Sequence, residues 1–170
     1  EKEYDAARDR LIASGDLYPC YETEEELALK RKVQLGRGQP PIYDRAALKL
    51  SDEQKKKFED EGRKPHYRFK LRHEPIVWRD LIRGHVEFHG KDLSDPVLIR
   101  ADGTSLYHLG NVVDDIDSGI THIVRGEDHV SNTACHIQMF EALGAKVPSY
   151  AHLPLMFDDE GKKFSKRAGS

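Results

Sequence analysis

Polar and apolar residues alternate with two different periods along this chain, and the change of period divides it. Over residues 3–14 the apolar positions Tyr4, Ala7, Leu11 and Ile12 recur every three to four residues, which predicts a helix with one buried face. Gly15 ends it. Leu17-Tyr18-Pro19-Cys20-Tyr21 reads as a short extended segment, because Pro19 disfavours helical backbone at Tyr18. Thr23-Glu24-Glu25-Glu26 has the spacing of a capping box, with a hydroxyl at the cap and a carboxylate three residues on. The helix it opens runs to about Leu35, acidic first and basic later, as the helix dipole favours. Ser51-Asp52-Glu53-Gln54 repeats the pattern and opens a shorter helix that stops at Gly62.

From His66 the period becomes two. His66-Tyr67-Arg68-Phe69-Lys70-Leu71 alternates strictly, which predicts a half-buried strand. Ile76-Val77-Trp78, Val86-Glu87-Phe88 and Val97-Leu98-Ile99-Arg100 are further strands. Asp102-Gly103 predicts a two-residue hairpin turn with a return strand from Thr104 to Leu106. The first hundred residues therefore read as helices followed by a mostly antiparallel sheet, an α+β unit. The grammar then becomes α/β. A helix is predicted over 107–117, closed by Ser118-Gly119, and Thr121 to Val124 form a short apolar strand. Arg125-Gly126-Glu127-Asp128-His129 is the loop at its carboxyl end. Asn132 or Thr133 caps the next helix, which buries Ile137, Phe140 and Leu143 and ends at Gly144. His152 to Phe157 return to extended chain. In open parallel sheets, ligands bind beyond the carboxyl ends of strands.

Composition narrows the function classes. With a formal net charge of −3 over 170 residues, the chain is no basic glove for nucleic acid, so RNA contact must come from local patches. No apolar run approaches the ~20 residues of a membrane span. The two cysteines, Cys20 and Cys135, lie far apart without a nearby partner, which argues against a disulfide framework and fits a reducing cytoplasm. No P-loop and no G-x-S-x-G elbow is present. The start without Met and the stop within a charged loop suggest a piece of a longer protein.

Three groups of residues can carry chemistry. The tail Asp158-Asp159-Glu160-Gly161-Lys162-Lys163-Phe164-Ser165-Lys166-Arg167 makes a turn at Gly161 and then a cationic loop. Lys163 and Lys166, with Ser165 between them, suit the grip of phosphate charge that develops during a reaction; the plainer reading is solvated surface. Arg125, at the mouth of a buried strand, invites a planar carboxylate, or else pairs internally with Glu127, Asp128 or Asp115. Asp114, Asp115 and Asp117 could bind a metal or form a wet helix face. His122 reads as a structural histidine and His129 as the better ligand contact.

These residues, in this order, resemble a known family. His152-Leu153-Pro154-Leu155 followed by Lys163-Phe164-Ser165-Lys166-Arg167 resembles the KMSKS region of class I aminoacyl-tRNA synthetases. Tyr107-His108-Leu109, Val112-Val113-Asp114-Asp115 and Ile120 to His129 resemble the glutamyl branch, while Tyr18-Pro19-Cys20-Tyr21 and Gly84-His85-Val86-Glu87-Phe88 fit its inserted acceptor-binding region. The resemblance implies a connective α+β domain over 1–103 and, over 104–170, the second half of a Rossmann-like catalytic fold. It implies that L-glutamate is activated with ATP and Mg2+ to glutamyl-adenylate, then transferred to the 3′ end of tRNA(Glu) by a cytoplasmic enzyme expected to be a monomer. Lys166 and Lys163 would be catalytic. Lys166, Ser165, Asp128, His129, Leu155 and Met156 would bind ATP, and Arg125, Tyr107 and Asn111 the glutamate. The glutaminyl branch lacks a match to Arg125, so glutamate is favoured over glutamine. The family's HIGH motif and anticodon-binding region are absent from this chain. Where zinc-binding members carry C-x-C, this chain has Cys20-Tyr21-Glu22, so zinc is not expected. Ser105-Leu106 stands where Pro-Thr often precedes the family tyrosine.

Rival readings are an acceptor-stem RNA-binding module using Arg31, Lys32, Arg37, Arg63, Lys64, Arg68 and Lys70, a related synthetase that glutamylates a modified tRNA base, and a metal-dependent hydrolase built on Asp114, Asp115, Asp128 and His129.

Overall fold

A computed structural model of the chain describes residues 2–156 and Gly161. The lysine loop expected to grip phosphate, with Lys163, Ser165 and Lys166, lies outside the described residues.

Helix α1 spans Lys2–Ala13. It turns Leu11 into the core, with Tyr4 and Ala7 packed beside it, whereas Ile12 is 37% exposed. The stripe is narrower than the pattern suggested, because Tyr4, Ala7 and Leu11 follow one line of the helix and Ile12 lies about a quarter turn off it. Strand β1 follows at Leu17–Cys20 and helix α2 at Glu24–Gly36. The α2 box is complete: the Glu26 N–H donates to Thr23 Oγ1 (3.2 Å) and the Thr23 N–H to Glu26 Oε1 (3.0 Å). Helix α3, Asp52–Asp60, opens with the same reciprocal pair between Ser51 and Gln54. A 3-10 turn at Ala46–Lys49 lies between them, a short element with no periodic signal in the sequence.

Strand β2, His66–Phe69, pairs antiparallel with β1 on one side and with β5, Val97–Ile99, on the other. Its alternation is broken by Arg68, which is buried where a solvent-facing residue was expected. The 42–47 segment covers that face: the Arg68 guanidinium lies 4.1 Å over the Tyr43 ring and donates to the Asp95 carbonyl at 2.7 Å. The turn after β5 also differs from expectation. Arg100 O accepts from the Gly103 N–H and the Arg100 N–H donates to Thr104 O, both at 2.9 Å, which makes a three-residue loop with Gly103 at φ +88°. The return strand reduces to one bridge, Ile99 to Ser105. Strands β3 (Pro75–Asp80) and β4 (Gly84–His89) form a separate hairpin.

Helix α4, Tyr107–Asp117, leads into a βαβ unit: β6 (His122–Gly126), a 3-10 turn (Glu127–His129), helix α5 (Val130–Ala142) and β7 (Ser149–Leu153), with β6 and β7 parallel. Arg125 therefore sits within β6 rather than in the loop after it. Neither Asn132 nor Thr133 caps α5. The helix begins at Val130, the cap position is His129 without a side-chain cap bond, and both predicted caps point their polar groups elsewhere.

One apolar core joins α1, β1, β2, β5, α4 and α5, while α2, α3, β6 and β7 contribute none of its residues. Leu11, Leu17, Phe69, Leu71, Leu98, Leu109, Val112, Met139 and Phe140 pack in a single cluster drawn from α1, β1, the β2–β5 region, α4 and α5. Each such leucine or phenylalanine stabilises the fold by roughly 2 kcal/mol relative to exposure. The hairpin docks through a second cluster, in which Ile76 meets Ala134, Ile137 and Tyr150. Among the described residues no helix is long and apolar enough to cross a membrane.

Candidate active site

The carboxyl end of the parallel pair β6–β7 faces the amino ends of α4 and α5, and the candidate residues gather there. Arg125 and His152 are direct partners across the pair. Arg125 is half-buried. Its guanidinium lies 5.4 Å from the centre of the Tyr150 ring, and Nη2 donates to Thr133 Oγ1 on the first turn of α5. Its Nε and the Tyr150 hydroxyl are both buried without a hydrogen-bond partner among the described residues. Burial pushes the guanidinium below its ordinary pKa, opposed by nearby Tyr150, Tyr107 and Asp115. The internal pairing considered for this residue does not form with Glu127, which pairs with Arg83 at 2.6 Å and accepts the Leu155 N–H at 3.2 Å.

Around the guanidinium stand three histidines. His108 Nδ1 and His136 Nε2 are 2.8 Å apart. Burial, followed by the charge of Arg125, lowers both, and His136 is pushed down to about 3. Both rings are thus neutral near pH 7, and the positive charge beside them is that of Arg125. His129 Nδ1 accepts from Asn132 Nδ2 at 3.3 Å, and the same amide donates to the Tyr107 hydroxyl at 3.3 Å. Tyr107 is 54% exposed at the start of α4, its ring 4.0 Å from that of His108. Asn111 sits exposed one turn further along α4. The site therefore offers one guanidinium, a phenol and neutral imidazoles to an incoming anion.

Asp128 lies at the rim, its carboxylate 3.9 Å from His129 Nε2. Asp128 Oδ1 approaches Gly126 so closely that a Cβ there would come within 2.5 Å of it. Leu155 is tied back by its N–H to Glu127, and Met156 is 69% exposed beside it.

Residues missed by sequence reasoning complete the site. Thr133, His152 and Asp80 are all buried. His152 Nε2 lies 2.8 Å from Thr133 Oγ1, its Nδ1 bonds to Asp80 Oδ2, and its N–H donates to Asp80 Oδ1 at 3.0 Å. Burial alone would raise the Asp80 carboxyl. The donated N–H groups of Arg83, His152 and Ile82 and the His152 ring outweigh it and hold the group well below the usual carboxylate range. The His-Leu-Pro-Leu motif marked His152, but nothing in sequence joined it to Asp80, 72 residues away.

Other expectations are corrected. Asp114 accepts the Tyr4 hydroxyl at 2.7 Å, and the Asp114, Asp115, Asp128 and His129 set does not converge as a metal site: among the described residues the donor cluster is Cys20, Glu22 and His66, within 4.8 Å of one another. Those three donors are one fewer than structural zinc takes, and burial pushes the Cys20 thiol up to about 12. His122 is exposed rather than built into the strand's buried face, its Nδ1 2.9 Å from Thr121 Oγ1. Of the cations proposed for RNA, Arg63 pairs with Glu26 at 2.7 Å and Arg68 is buried, while Arg31, Lys32, Arg37, Lys64 and Lys70 are exposed.

Comparison with known proteins places this architecture in a class. All of residues 1–170 match the family described as tRNA synthetases class I (E and Q), catalytic domain, and the chain belongs to that family. Within it, the chain is 61% identical over 160 residues to a glutamate–tRNA ligase of Azospirillum brasilense, 94% of this chain and 36% of the relative. It is 58% identical over 166 residues to glutamate–tRNA ligase 1 of Rickettsia rickettsii (strain Sheila Smith), 98% of this chain and 37% of the relative. The crystal structure of a glutamate-tRNA synthetase from Elizabethkingia anophelis superimposes with a TM-score of 0.88 at 33% identity, covering 99% of this chain and 36% of that one. The fold is thus that of a class I synthetase catalytic domain in part, and the chain spans little more than a third of the length of these relatives.

Proposed function

We propose that this chain is part of a glutamate–tRNA ligase that activates L-glutamate with ATP and transfers it to the 3′ end of tRNA(Glu). The observation that carries the reading is Arg125: a half-buried guanidinium bonded to a neutral hydroxyl, with its Nε left over, among neutral histidines. Such a cation accepts a carboxylate in bidentate fashion, and a neutral amide cannot replace that charge. Arg125 holds the side-chain carboxylate of glutamate, with Tyr107 and Asn111 from α4 alongside. The substrate's α-carboxylate then attacks the α-phosphorus of ATP, and pyrophosphate leaves; Mg2+ bound with the nucleotide would offset the phosphates' charge. Asp128, His129 and the backbone at Leu155 and Met156 line the nucleotide's side. Lys166 and Lys163, with Ser165, stabilise the phosphate charge as it develops. No protein group is acylated, so positioning and charge stabilisation carry the rate.

Residues 1–103 act as the acceptor-binding part. A groove of about 620 Å³, lined by the exposed Arg31, Lys64 and Arg100 as well as by Glu22 and Glu24, supports contact with the phosphates of an acceptor end. The enzyme works in the cytoplasm, where its tRNA is charged. The test is ATP–pyrophosphate exchange by the full-length protein containing this chain, with tRNA present. Exchange that depends on glutamate and not on glutamine is expected. Equal exchange with glutamine, or none with glutamate, overturns the reading.

A further inference from the structure

Arg125 is held by a buried chain of hydrogen bonds whose far end lies in another part of the fold. Asp80 closes β3, in the turn of the hairpin, and accepts the N–H groups of Ile82 and Arg83 there at 3.0 Å each. The same carboxylate bonds His152 Nδ1, His152 Nε2 meets the Thr133 hydroxyl at 2.8 Å, and Thr133 meets Arg125. A second tie fixes the turn to the strand: the Leu81 N–H donates to Tyr150 O at 2.8 Å.

The polarity of this chain follows from its acid end. A carboxylate accepts only, so Nδ1 of the His152 ring carries a proton, and in the neutral ring Nε2 is an acceptor. The Thr133 hydroxyl has one proton and two acceptor sites for it, Nε2 at 2.8 Å and the His129 carbonyl at 3.2 Å. The shorter bond takes the proton, and the oxygen lone pairs are left facing the Arg125 guanidinium. The arrangement orients Arg125 without neutralising it, because the carboxylate stands three hydrogen bonds away. A carboxylate bonded directly to the guanidinium would orient it as well, but would compete with a substrate's carboxylate.

We propose that Asp80 and His152 are positioning residues of the amino-acid site, acting through Thr133 on Arg125. The turn of the β3–β4 hairpin is thereby part of what selects an acidic substrate. The proposal rests on the reading of Arg125 as the holder of glutamate's side-chain carboxylate.

The test is steady-state kinetics of the full-length protein with Thr133→Val, Thr133→Ser, Asp80→Asn, the Thr133→Val/Asp80→Asn double variant, and Arg125→Gln. Thr133→Val keeps the shape and removes the acceptor. It raises the KM for glutamate about tenfold, with kcat at saturating glutamate and the KM for ATP within about twofold of the parent. Thr133→Ser, which keeps the hydroxyl, returns the glutamate KM to within about twofold. Asp80→Asn raises it several-fold by offering an N–H to Nδ1, and the double variant is no worse than Thr133→Val alone, as expected of one chain. A glutamate KM unchanged in both single variants overturns the proposal. So does a rise that Thr133→Ser does not reverse, a parallel rise in the KM for ATP, or fully multiplicative effects. Should Asp80→Asn fail to fold, the valine and serine variants decide alone. Arg125→Gln separates the two levels: if it leaves the glutamate KM unchanged, the reading of the site fails; if it raises the KM and Thr133→Val does not, only the relay fails.

Discussion

Two half-buried arginines, Arg45 and Arg125, face opposite electrostatic fates within one chain. Arg45 donates from Nε and Nη2 to the two oxygens of Asp95 at 2.8 and 2.9 Å, and also to the Leu71 carbonyl. Asp95 is 2% exposed and is further saturated by the Tyr18 hydroxyl at 2.6 Å and the Leu71 N–H at 3.0 Å. Arg45 even adopts a left-handed backbone, φ +60°, a conformation that costs about 1–3 kcal/mol and persists only where surroundings enforce it. Arg125 has the same guanidinium in a similar degree of shelter, yet its bond goes to a neutral threonine and one N–H is unused. The first arginine is closed by its own fold and the second is left open toward the strand ends. Burial alone does not separate the two cations; the charge state of the hydrogen-bond partner does.

The sharpest break in this comparison is to remove the closing partner. Asp95→Asn leaves Arg45 sheltered without its counter-charge, which costs roughly 3–5 kcal/mol. Urea unfolding of the full-length protein is expected to show that loss, while glutamate activation per folded molecule stays near the parent value. Arg125→Gln should invert the pattern. Stability changes little, because the desolvated guanidinium disappears together with its attraction to Asp115. The kcat/KM for glutamate falls by roughly a thousandfold, the scale of about 4 kcal/mol for an unpaired buried charge partner. If Arg125→Gln unfolds the protein and Asp95→Asn spares it, the assignment of the two roles is reversed.

The same contrast explains what was legible in the sequence. Local chemistry was legible: Thr23-x-x-Glu26 and Ser51-x-x-Gln54 form both capping boxes, and α4 runs over Tyr107–Asp117, stopping where Ser118-Gly119 predicts. Arg125 and Tyr107 stood out because they match a motif, and the structure puts them at the same site. Long-range polar contacts were not legible. Asp80 with His152, and Arg45 with Asp95, are 72 and 50 residues apart, and no local pattern encodes such a partner. The error at the start of α5 has the same origin. Thr133 looked like a cap because threonine is a good one, but its hydroxyl is engaged with Arg125 and His152 inside the first turn. Arg68 misled for a related reason: the residues that bury it, Tyr43 and Asp95, lie on segments remote in sequence.

A pH titration sharpens the comparison from the side of the histidines. His136 is lowered to about 3 by burial first and by Arg125 second, against the ordinary 6.5. Between those values the unfolded chain binds a proton that the folded chain refuses, so stability rises with pH. It is fully present above about pH 6.5 and is lost as pH falls toward 3. From pH 7 to 5 the loss is roughly 2 kcal/mol from this group, with His108 adding in the same direction. Asp80, whose carboxyl is lowered from 3.8, contributes only at still lower pH. Urea midpoints at pH 7 and pH 5 check this, and His136→Gln should flatten the slope. On the Arg45–Asp95 side His66 is lowered by burial first and by Arg68 second, not by Arg45, so an Arg45 variant should leave the slope unchanged.

The smallest effect is expected at Gly126, between Arg125 and the 3-10 turn. Its φ is −70°, which any residue adopts, so the backbone does not require glycine there. The requirement is space: a Cβ would meet Asp128 Oδ1 at 2.5 Å. Gly126→Ala therefore swings the Asp128 carboxylate aside while leaving β6 and Arg125 in register. The KM for ATP should rise a few-fold, about 1 kcal/mol or less, with the KM for glutamate unchanged. A glutamate KM that moves with it would mean that the open cation and the rim carboxylate respond as one unit. Arg125 would then be coupled to Asp128 as well as to the charge of Asp115, and the distinction between the two arginines would be one of degree.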